Sequence, residues 1–132
     1  MKVYLLQRRQ VVDRPLESVF EFFSRPENLA RLTPETLGFR IVTPSPIVMK
    51  TGTMIDYTIR VLGVPVRWRT LITSYDPPHI FVDEQLKGPY AFWHHRHTFR
   101  SVEGCTEITD EVHYAVPGGF LAPLAHAVLV RP

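Results

Sequence analysis

Histidines are concentrated in one short stretch of the chain, GPYAFWHHRHTF at residues 88–99, which also holds a tryptophan and an arginine. His95 and His97 are two residues apart, so in a β-strand both side chains leave the same face. An imidazole can transfer a proton, bind a metal ion or hold the polar end of a ligand. Which chemistry is available depends on where that face points and on the acidic side chains beside it.

The stretch is predicted to form one strand of a β-hairpin. Segments 91–101 and 105–116 are separated by Glu103-Gly104, which suits a two-residue turn. That register pairs two arginines with two glutamates across the strands: Arg96 with Glu111, and Arg100 with Glu107. Facing opposite charges stabilise a hairpin by a few tenths of a kcal/mol per pair. Because the register was not chosen to produce these pairs, they support it.

The same register divides the hairpin into two faces. Charged and polar side chains occupy the face that we expect to meet solvent: Arg96, Arg100, Glu107, Thr109, Glu111 and His113. Mostly apolar side chains occupy the other: Trp93, His95, His97, Phe99, Ile108, Asp110, Val112 and Tyr114. We therefore predict that His95 and His97 point toward the core and that Asp110 lies opposite His97.

The hairpin belongs to a longer antiparallel sheet. Runs bounded by turn residues predict seven strands: 3–12, 39–42, 53–62, 64–75, 79–87, 91–101 and 105–116. Apolar residues at helical spacing predict a helix that begins at Pro15 and a short second helix that contains Leu29 and Leu32. The segment FLAPLAHAVLV at 120–130 is predicted to be a third helix. The order β-αα-β6-α indicates an α+β domain with a helix against one face of the sheet.

Two details of the sheet are predicted from local patterns. A glycine suits the first central position of a type II′ turn, so Gly63-Val64 is expected to join two strands and to pair Ile59 with Trp68. In the strand at 79–87, alternation of apolar residues favours burial of one set of side chains: Ile80, Val82 and Leu86.

Composition bounds the class of protein. A chain of 132 residues is expected to form one domain, residues 1–132, and a net charge of +2 implies no strong polyanionic partner. Arginines on the outer face of the sheet are interpreted as a solvated surface, so neither nucleic acid nor a stably inserted membrane anchor is expected. The single cysteine, Cys105, excludes an internal disulfide and fits a reducing compartment. With no signal-like start and no apolar run of about 20 residues, we expect a cytoplasmic protein.

Several motifs together resemble a known superfamily. They are LTPETLGFRI, MKTGTMIDYTIRVLGVPVRWRT, PPHIFVDEQLKGPYAFWHHRHTF and TEITDEVHYAVPGGFLAPLAH, and they cover nearly the whole chain. The chain resembles the SRPBCC superfamily, the START and birch-pollen-allergen-like helix-grip fold. Within it, the likeness is to small bacterial proteins labelled cyclase/dehydrase or CDP-paratose epimerase-like. No glycine-rich nucleotide-binding loop accompanies the epimerase label.

The resemblance implies a curved sheet around a C-terminal helix, with a cavity between them. The family pattern F-x-D-x-Q-x-x-G-P-Y-x-x-W-x-H-x-H-x-F falls on ten residues: Phe81, Asp83, Gln85, Gly88, Pro89, Tyr90, Trp93, His95, His97 and Phe99. Its period of two implies that Asp83 and Gln85 share the cavity face with the two histidines. That phase is opposite to the one that apolar alternation favours, and we expect the resemblance to prevail because a pocket wall can be polar.

The last helix departs from the superfamily pattern. The segment 120–130 is shorter than the helix that usually closes the cavity in this fold. Either the cavity is more open than usual or a second chain covers it, so a homodimer is compatible with the sequence.

Four roles fit the polar residues predicted on the cavity face. His95 and His97 with Asp83 and Asp110 could form a buried hydrogen-bonded network, or they could hold the polar end of a ligand. A histidine oriented by Asp110 could act as a general base. His-x-His with a carboxylate also has the right atoms for a metal, but a third inward histidine is lacking, and no metal is expected.

We therefore expect binding of a small, mostly apolar molecule, lipid-like or aromatic, between the sheet and the last helix. The expected contact residues are Tyr57, Trp68, Asp83, Gln85, Trp93, His95, His97, Phe99, Asp110 and Tyr114. The alternative is a polyketide cyclase/aromatase-type enzyme in which His95 or His97 moves a proton with the help of Asp110. A second alternative is a structural or protein-partner module with a filled core. None of these requires a cofactor.

Overall fold

The computed structural model describes residues 2–33 and 37–117, with Ala30 described by its backbone alone. The strands are β1 (Tyr4–Val12), β2 (Arg40–Ile41), β3 (Met54–Val61), β4 (Val64–Asp76), β5 (Ile80–Lys87), β6 (Phe92–Val102) and β7 (Cys105–Ala115). The helices are α1 (Leu16–Ser24) and α2 (Leu29–Leu32), joined by a 3-10 turn (Pro26–Asn28). This is the predicted order as far as β7. The helix predicted at 120–130 lies outside the described residues.

All seven strands form one antiparallel sheet in the order β1-β7-β6-β5-β4-β3-β2. Helix α1 begins directly after Pro15, which is the N-cap residue and has the extended backbone usual at that position. It buries Val19 and Phe20 against the sheet, with the ring of Phe20 5.0 Å from that of Phe99. The predicted α+β helix-grip fold is confirmed. No described helix has both the length and the apolar character needed to cross a bilayer.

The predicted register of β6 and β7 is confirmed. Trp93 pairs with Tyr114 and His97 with Asp110, in the ladder that the Glu103-Gly104 turn defines. On the outer face, Nη2 of Arg100 lies 3.0 Å from Oε1 of Glu107. Alternate residues of both strands therefore share the concave face, as predicted from the sequence.

The predicted turn between β3 and β4 is wrong by one residue. The turn residues are Leu62 and Gly63, with φ of 51° and 77°, so both adopt the left-handed conformation of a type I′ turn. Trp68 consequently pairs with Tyr57 and not with Ile59. Because the change shifts the pairing by two residues, every side chain of both strands keeps its predicted face.

Two hydrophobic clusters fill the concave side. The first contains Ile59, Trp68, Tyr90, Val112 and Tyr114. The second contains Val19, Phe20, Phe81, Phe99 and Ile108. Polar side chains from the middle strands contact both clusters, and these side chains form the candidate site.

Candidate functional site

Three neighbouring strands bring four ionisable side chains together. The ladder pairs Asp83 on β5 with His95 on β6, and it pairs His97 on β6 with Asp110 on β7. Because these positions alternate with outward-facing ones, all four side chains lie on the concave face. They are 16–20% exposed. We call these four residues the His/Asp cluster.

Short contacts join both histidines of the cluster to carboxylates. Nε2 of His97 is 2.6 Å from Oδ2 of Asp83, and its Nδ1 is 3.2 Å from Oδ1 of Asp110. Nε2 of His95 is 2.9 Å from the same Asp110 oxygen. The two imidazoles are stacked with ring centroids 3.6 Å apart. The cluster is thus a closed hydrogen-bonded group that spans three strands.

The geometry assigns the charges in the cluster. A carboxylate only accepts hydrogen bonds, so His97, which faces one with each nitrogen, carries both protons. Burial alone would lower the pKa of His97, but hydrogen bonds to Asp110 and Asp83 outweigh it and raise the pKa to about 9. Burial and the charge of His97 lower the pKa of His95, against the hydrogen bond to Asp110 that raises it. His95 is therefore the neutral member.

Both carboxylates are ionised. Burial would raise the pKa values of Asp83 and Asp110, but hydrogen bonds from the histidines outweigh it and lower both. Trp93 adds to this at Asp83, where its Nε1–H donates to Oδ1 at 3.2 Å. With one imidazolium and two carboxylates, the cluster carries one net negative charge.

Two adjoining pockets meet at the His/Asp cluster. The larger, of about 370 Å³, is bounded by β1, β4, β6, β7, the two helices and the residues Thr33 and Leu37. Its polar lining is contributed by Arg8, Gln10, Thr33, His95, His97 and Asp110, and the rest is apolar or aromatic. The smaller, of about 200 Å³, reaches Asp83, His95 and His97 from the side of β3, β4 and α1. The cluster therefore forms part of the wall of both.

Eight of the ten predicted contact residues line these pockets. Trp68, Trp93, His95 and His97 line both. Phe99 and Asp110 line only the larger, whereas Tyr57 and Asp83 line only the smaller. The structure thus brings these side chains together around one concave region.

Gln85 and Tyr114 line neither pocket. The side-chain amide of Gln85 donates to the backbone carbonyl of Tyr90 at 2.7 Å and accepts from its N–H at 3.1 Å. Gln85 therefore fixes the turn that leads into β6. Tyr114 is buried in the first hydrophobic cluster, where it stacks on Tyr4 with centroids 5.4 Å apart.

The side chains of β5 that point toward the pockets are those that the family pattern indicated. Phe81 is 5% exposed and stacks on His97 with centroids 3.9 Å apart, next to the inward Asp83. The alternation of apolar residues predicted burial of Ile80, Val82 and Leu86 instead. That prediction is wrong for Leu86, which is 50% exposed. Val82 is buried all the same, opposite Ser74 and Arg96 on the outer face.

Sequence reasoning missed the polar residues of β1. Arg8 and Gln10 line the larger pocket, and Arg8 lies directly opposite Asp110 in the ladder. The signal was available, because both continue the two-residue period that begins at Leu6. The apolar wall from Phe23, Leu29, Leu32 and Leu37 was not predicted, since nothing local to these residues indicates which strand they meet.

The fold is shared with proteins of known structure. Zhui aromatase/cyclase from Streptomyces sp. R1128 superposes with a TM-score of 0.75 at 14% identity, covering 97% of this chain and 85% of that one. Ara h 8.0201 superposes with a TM-score of 0.67 at 14% identity, covering 96% of this chain and 88% of that one. Major latex-like protein 151 from Panax ginseng superposes with a TM-score of 0.67 at 11% identity, covering 97% of this chain and 91% of that one. At such identities the likeness concerns the fold.

Sequence comparison places the chain more firmly. No curated protein sequence matches it significantly. Residues 12–131, however, match the profile of the family described as polyketide cyclase / dehydrase and lipid transport. Together with the structural neighbours, this confirms the resemblance to the SRPBCC superfamily. The chain belongs to the polyketide cyclase / dehydrase and lipid transport family.

Proposed function

We propose that the protein binds a small, mostly apolar molecule, lipid-like or aromatic, in the two adjoining pockets. The observation that carries the proposal is the contrast between the pocket walls and their meeting point. The walls are mainly aliphatic and aromatic, whereas the His/Asp cluster supplies a few convergent polar groups. That combination is typical of small-molecule sites.

Trp68 supports the proposal. It lines both pockets, yet its buried Nε1–H has no hydrogen-bond partner among the described residues. Leaving a buried donor unpaired costs about 1–3 kcal/mol, and a phenylalanine would avoid that penalty in a purely structural core. An acceptor atom on a bound molecule would remove it.

Neighbouring residues of β1 provide a matched test. Leu6 lines the larger pocket, whereas Leu5 is on the outer face and 54% exposed. We expect Leu6→Trp to fill the pocket and weaken binding of the aromatic probe 1-anilinonaphthalene-8-sulfonate more than tenfold. Leu5→Trp should leave binding unchanged. Equal effects of both substitutions on probe fluorescence would place the probe elsewhere and refute the proposal.

A second candidate function is catalysis of the cyclase/aromatase type. Nε2 of His95 is held by Asp110, while its Nδ1 is 3.9 Å from Asp83, beyond hydrogen-bonding distance. A neutral imidazole with one nitrogen oriented by a carboxylate and the other available has the geometry of a general base. The pockets leave room for a ketone beside it.

Deuterium exchange separates the two candidates. If His95 is a base, the protein should accelerate deuterium uptake next to the carbonyl of a pocket-sized aryl 1,3-diketone. His95→Gln should abolish that acceleration while changing the affinity for the diketone only a few-fold. Binding without accelerated exchange in the wild-type protein would leave ligand binding as the function.

Two further expectations belong to this proposal. We infer a cytoplasmic location from the single cysteine, which imaging of a fluorescent fusion would test. Homodimer formation is compatible with an open pocket, and analytical ultracentrifugation with and without the probe would detect it.

A further inference from the structure

Three members of the His/Asp cluster offer metal-binding atoms to one point. Asp83, His95 and His97 each contribute one such atom, and the three lie within 4.8 Å of one another. Oδ2 of Asp83 is 2.6 Å from Nε2 of His97 and 3.9 Å from Nδ1 of His95. Two imidazole nitrogens and a carboxylate are a ligand set that first-row transition metals favour.

The remaining atoms of these residues are held as metal ligands usually are. A histidine that binds a metal through one nitrogen commonly donates its other N–H to a carboxylate. Here Oδ1 of Asp110 lies 2.9 Å from Nε2 of His95 and 3.2 Å from Nδ1 of His97, so it can orient both rings. Trp93 orients the third group, because its Nε1–H binds the other oxygen of Asp83.

We propose that Asp83, His95 and His97 bind a divalent transition-metal ion, with Asp110 and Trp93 as positioning residues. Metal–ligand bonds of about 2.0–2.1 Å in a tetrahedral site hold the ligand atoms roughly 3.3 Å apart. That spacing lies between the two distances measured from Asp83. The two imidazole nitrogens lie within 4.8 Å of each other, so small movements of the carboxylate and of the two rings would bring all three atoms onto the ion. The ion takes the place of the proton between His97 and Asp83.

The position of the site leaves the metal accessible. Both histidines line both pockets and Asp83 lines the smaller one. Three protein ligands leave at least one coordination position for water or for an oxygen of a pocket molecule. The inference goes beyond ligand binding and does not depend on it, because the ion needs only the three side chains.

Cobalt(II) binding tests the site directly. The full chain, prepared without a histidine tag and stripped with EDTA, should bind one equivalent of cobalt(II), with a visible absorption spectrum typical of nitrogen and oxygen ligands. His97→Gln and Asp83→Asn should each weaken binding at least tenfold. Asp110→Asn should weaken it about 10–100-fold, as expected for a group that orients ligands.

His94 provides the control on the same strand. Its ring lies 6.3 Å from that of His113, across the ladder from it, so this neighbouring pair could bind cobalt adventitiously. His94→Gln should leave affinity and spectrum unchanged. If His94→Gln removes binding, if His97→Gln does not weaken it, or if the wild-type chain binds no cobalt below millimolar concentration, the inference is wrong.

A measurement on the wild-type protein guards against misfolded variants. Cobalt(II) should shift the imidazole resonances of His95 and His97 paramagnetically in the proton NMR spectrum. The resonances of His94 and His113 should move little. Shifts confined to the latter pair would overturn the inference without any substitution.

Discussion

At the scale of single residues, two tryptophans line the same pockets but differ in the hydrogen bonding of the indole nitrogen. The Nε1–H of Trp93 donates to Asp83, whereas that of Trp68 is buried without an acceptor among the described residues. A hydrogen bond to a charged group contributes about 1.5–3 kcal/mol to stability, whereas a buried donor without an acceptor costs about 1–3 kcal/mol. The N–H of Trp93 therefore stabilises the fold, whereas the N–H of Trp68 is available to an acceptor on the ligand that we propose.

Replacing each tryptophan by benzothienylalanine, which exchanges only the N–H for sulfur, should separate these roles. At Trp93 we expect the free energy of unfolding to fall by about 1–3 kcal/mol. At Trp68 it should stay the same or rise, while affinity for acceptor-bearing probes falls. Urea denaturation and probe titration measure both quantities. Equal losses of stability at the two positions would contradict the assignment of hydrogen bonds.

Gly88 is required by a close approach. A Cβ added there would lie 2.5 Å from Oε1 of Gln85, and moving that amide would break its two hydrogen bonds to Tyr90. Gly88→Ala should therefore lower the free energy of unfolding by about 1–2 kcal/mol. In a Gln85→Ala background the same substitution should cost much less. Additive effects in this double-mutant cycle would show that the clash is relieved in another way.

At the scale of elements, strand register was predictable where charges or turn residues define it. The Glu103-Gly104 turn defined the pairing of β6 and β7, and opposite charges across the two strands supported it. Between β3 and β4 the charges would have corrected the turn, since Asp56 pairs with Arg69 and Nε of Arg69 lies 2.8 Å from Oδ1 of Asp56. The turn residues misled because Leu62 adopts a left-handed conformation that is unfavourable for leucine. Residue propensities therefore do not predict a turn at Leu62-Gly63.

The inward phase of β5 could not be obtained from β5 alone. Its polar Asp83 is buried because its partners, His97 and Trp93, are supplied by β6. Burial of a carboxylate is favourable only when such partners exist, and apolar alternation within one strand carries no information about them. The family pattern succeeded because it includes both strands.

The ion pair between β3 and β4 should be visible in the pH dependence of stability. The hydrogen bond and charge of Arg69 lower the pKa of Asp56 below 3.8. A lowered pKa means that the pair stabilises the fold above the unfolded-state value and that this contribution is lost as the pH falls through the folded-state value. Asp56→Asn should therefore be destabilising at pH 7 and progressively less so toward pH 3.

Arg67 provides the control for this pH dependence. It is on the same strand as Arg69 but pairs with Thr58. The charge of Arg67 also lowers the pKa of Asp56, but less than the hydrogen bond and charge of Arg69 do, so Arg67→Met should change stability at pH 7 clearly less than Asp56→Asn does. A difference between Asp56→Asn and wild type that does not vary with pH would show that the ion pair contributes nothing measurable, as many partly exposed pairs do not.

At the scale of the whole molecule, the His/Asp cluster connects the two halves of the core. His97 stacks on Phe81 of the second hydrophobic cluster. Asp83 binds Trp93, whose ring is 5.2 Å from that of Trp68 in the first. The polar groups that face the pockets therefore also fix the relative position of the walls around them. The ligand binding that we propose would therefore depend on the same contacts as folding.

Substitution of Asp110 tests this dependence. Asp110→Asn removes the charge that two imidazoles share, and the asparagine can still accept a hydrogen bond, so we expect a loss of about 1–3 kcal/mol in metal-free protein. His97→Gln should cost a similar amount. The double variant should cost clearly less than both together, because each single change leaves the other residue's charge unbalanced.

Arg100→Met is the matched control on the outer face of the same ladder, where the ion pair with Glu107 is 69% exposed on the arginine side. It should cost less than about 0.5 kcal/mol, because solvent screens exposed pairs. Urea denaturation of the wild-type protein and these four variants at pH 7 gives all these values. If the cluster unites the core, Asp110→Asn should keep one cooperative transition with a lower midpoint. Two separate transitions would mean that the hydrophobic clusters fold independently, and the pockets between them would then lack a fixed shape.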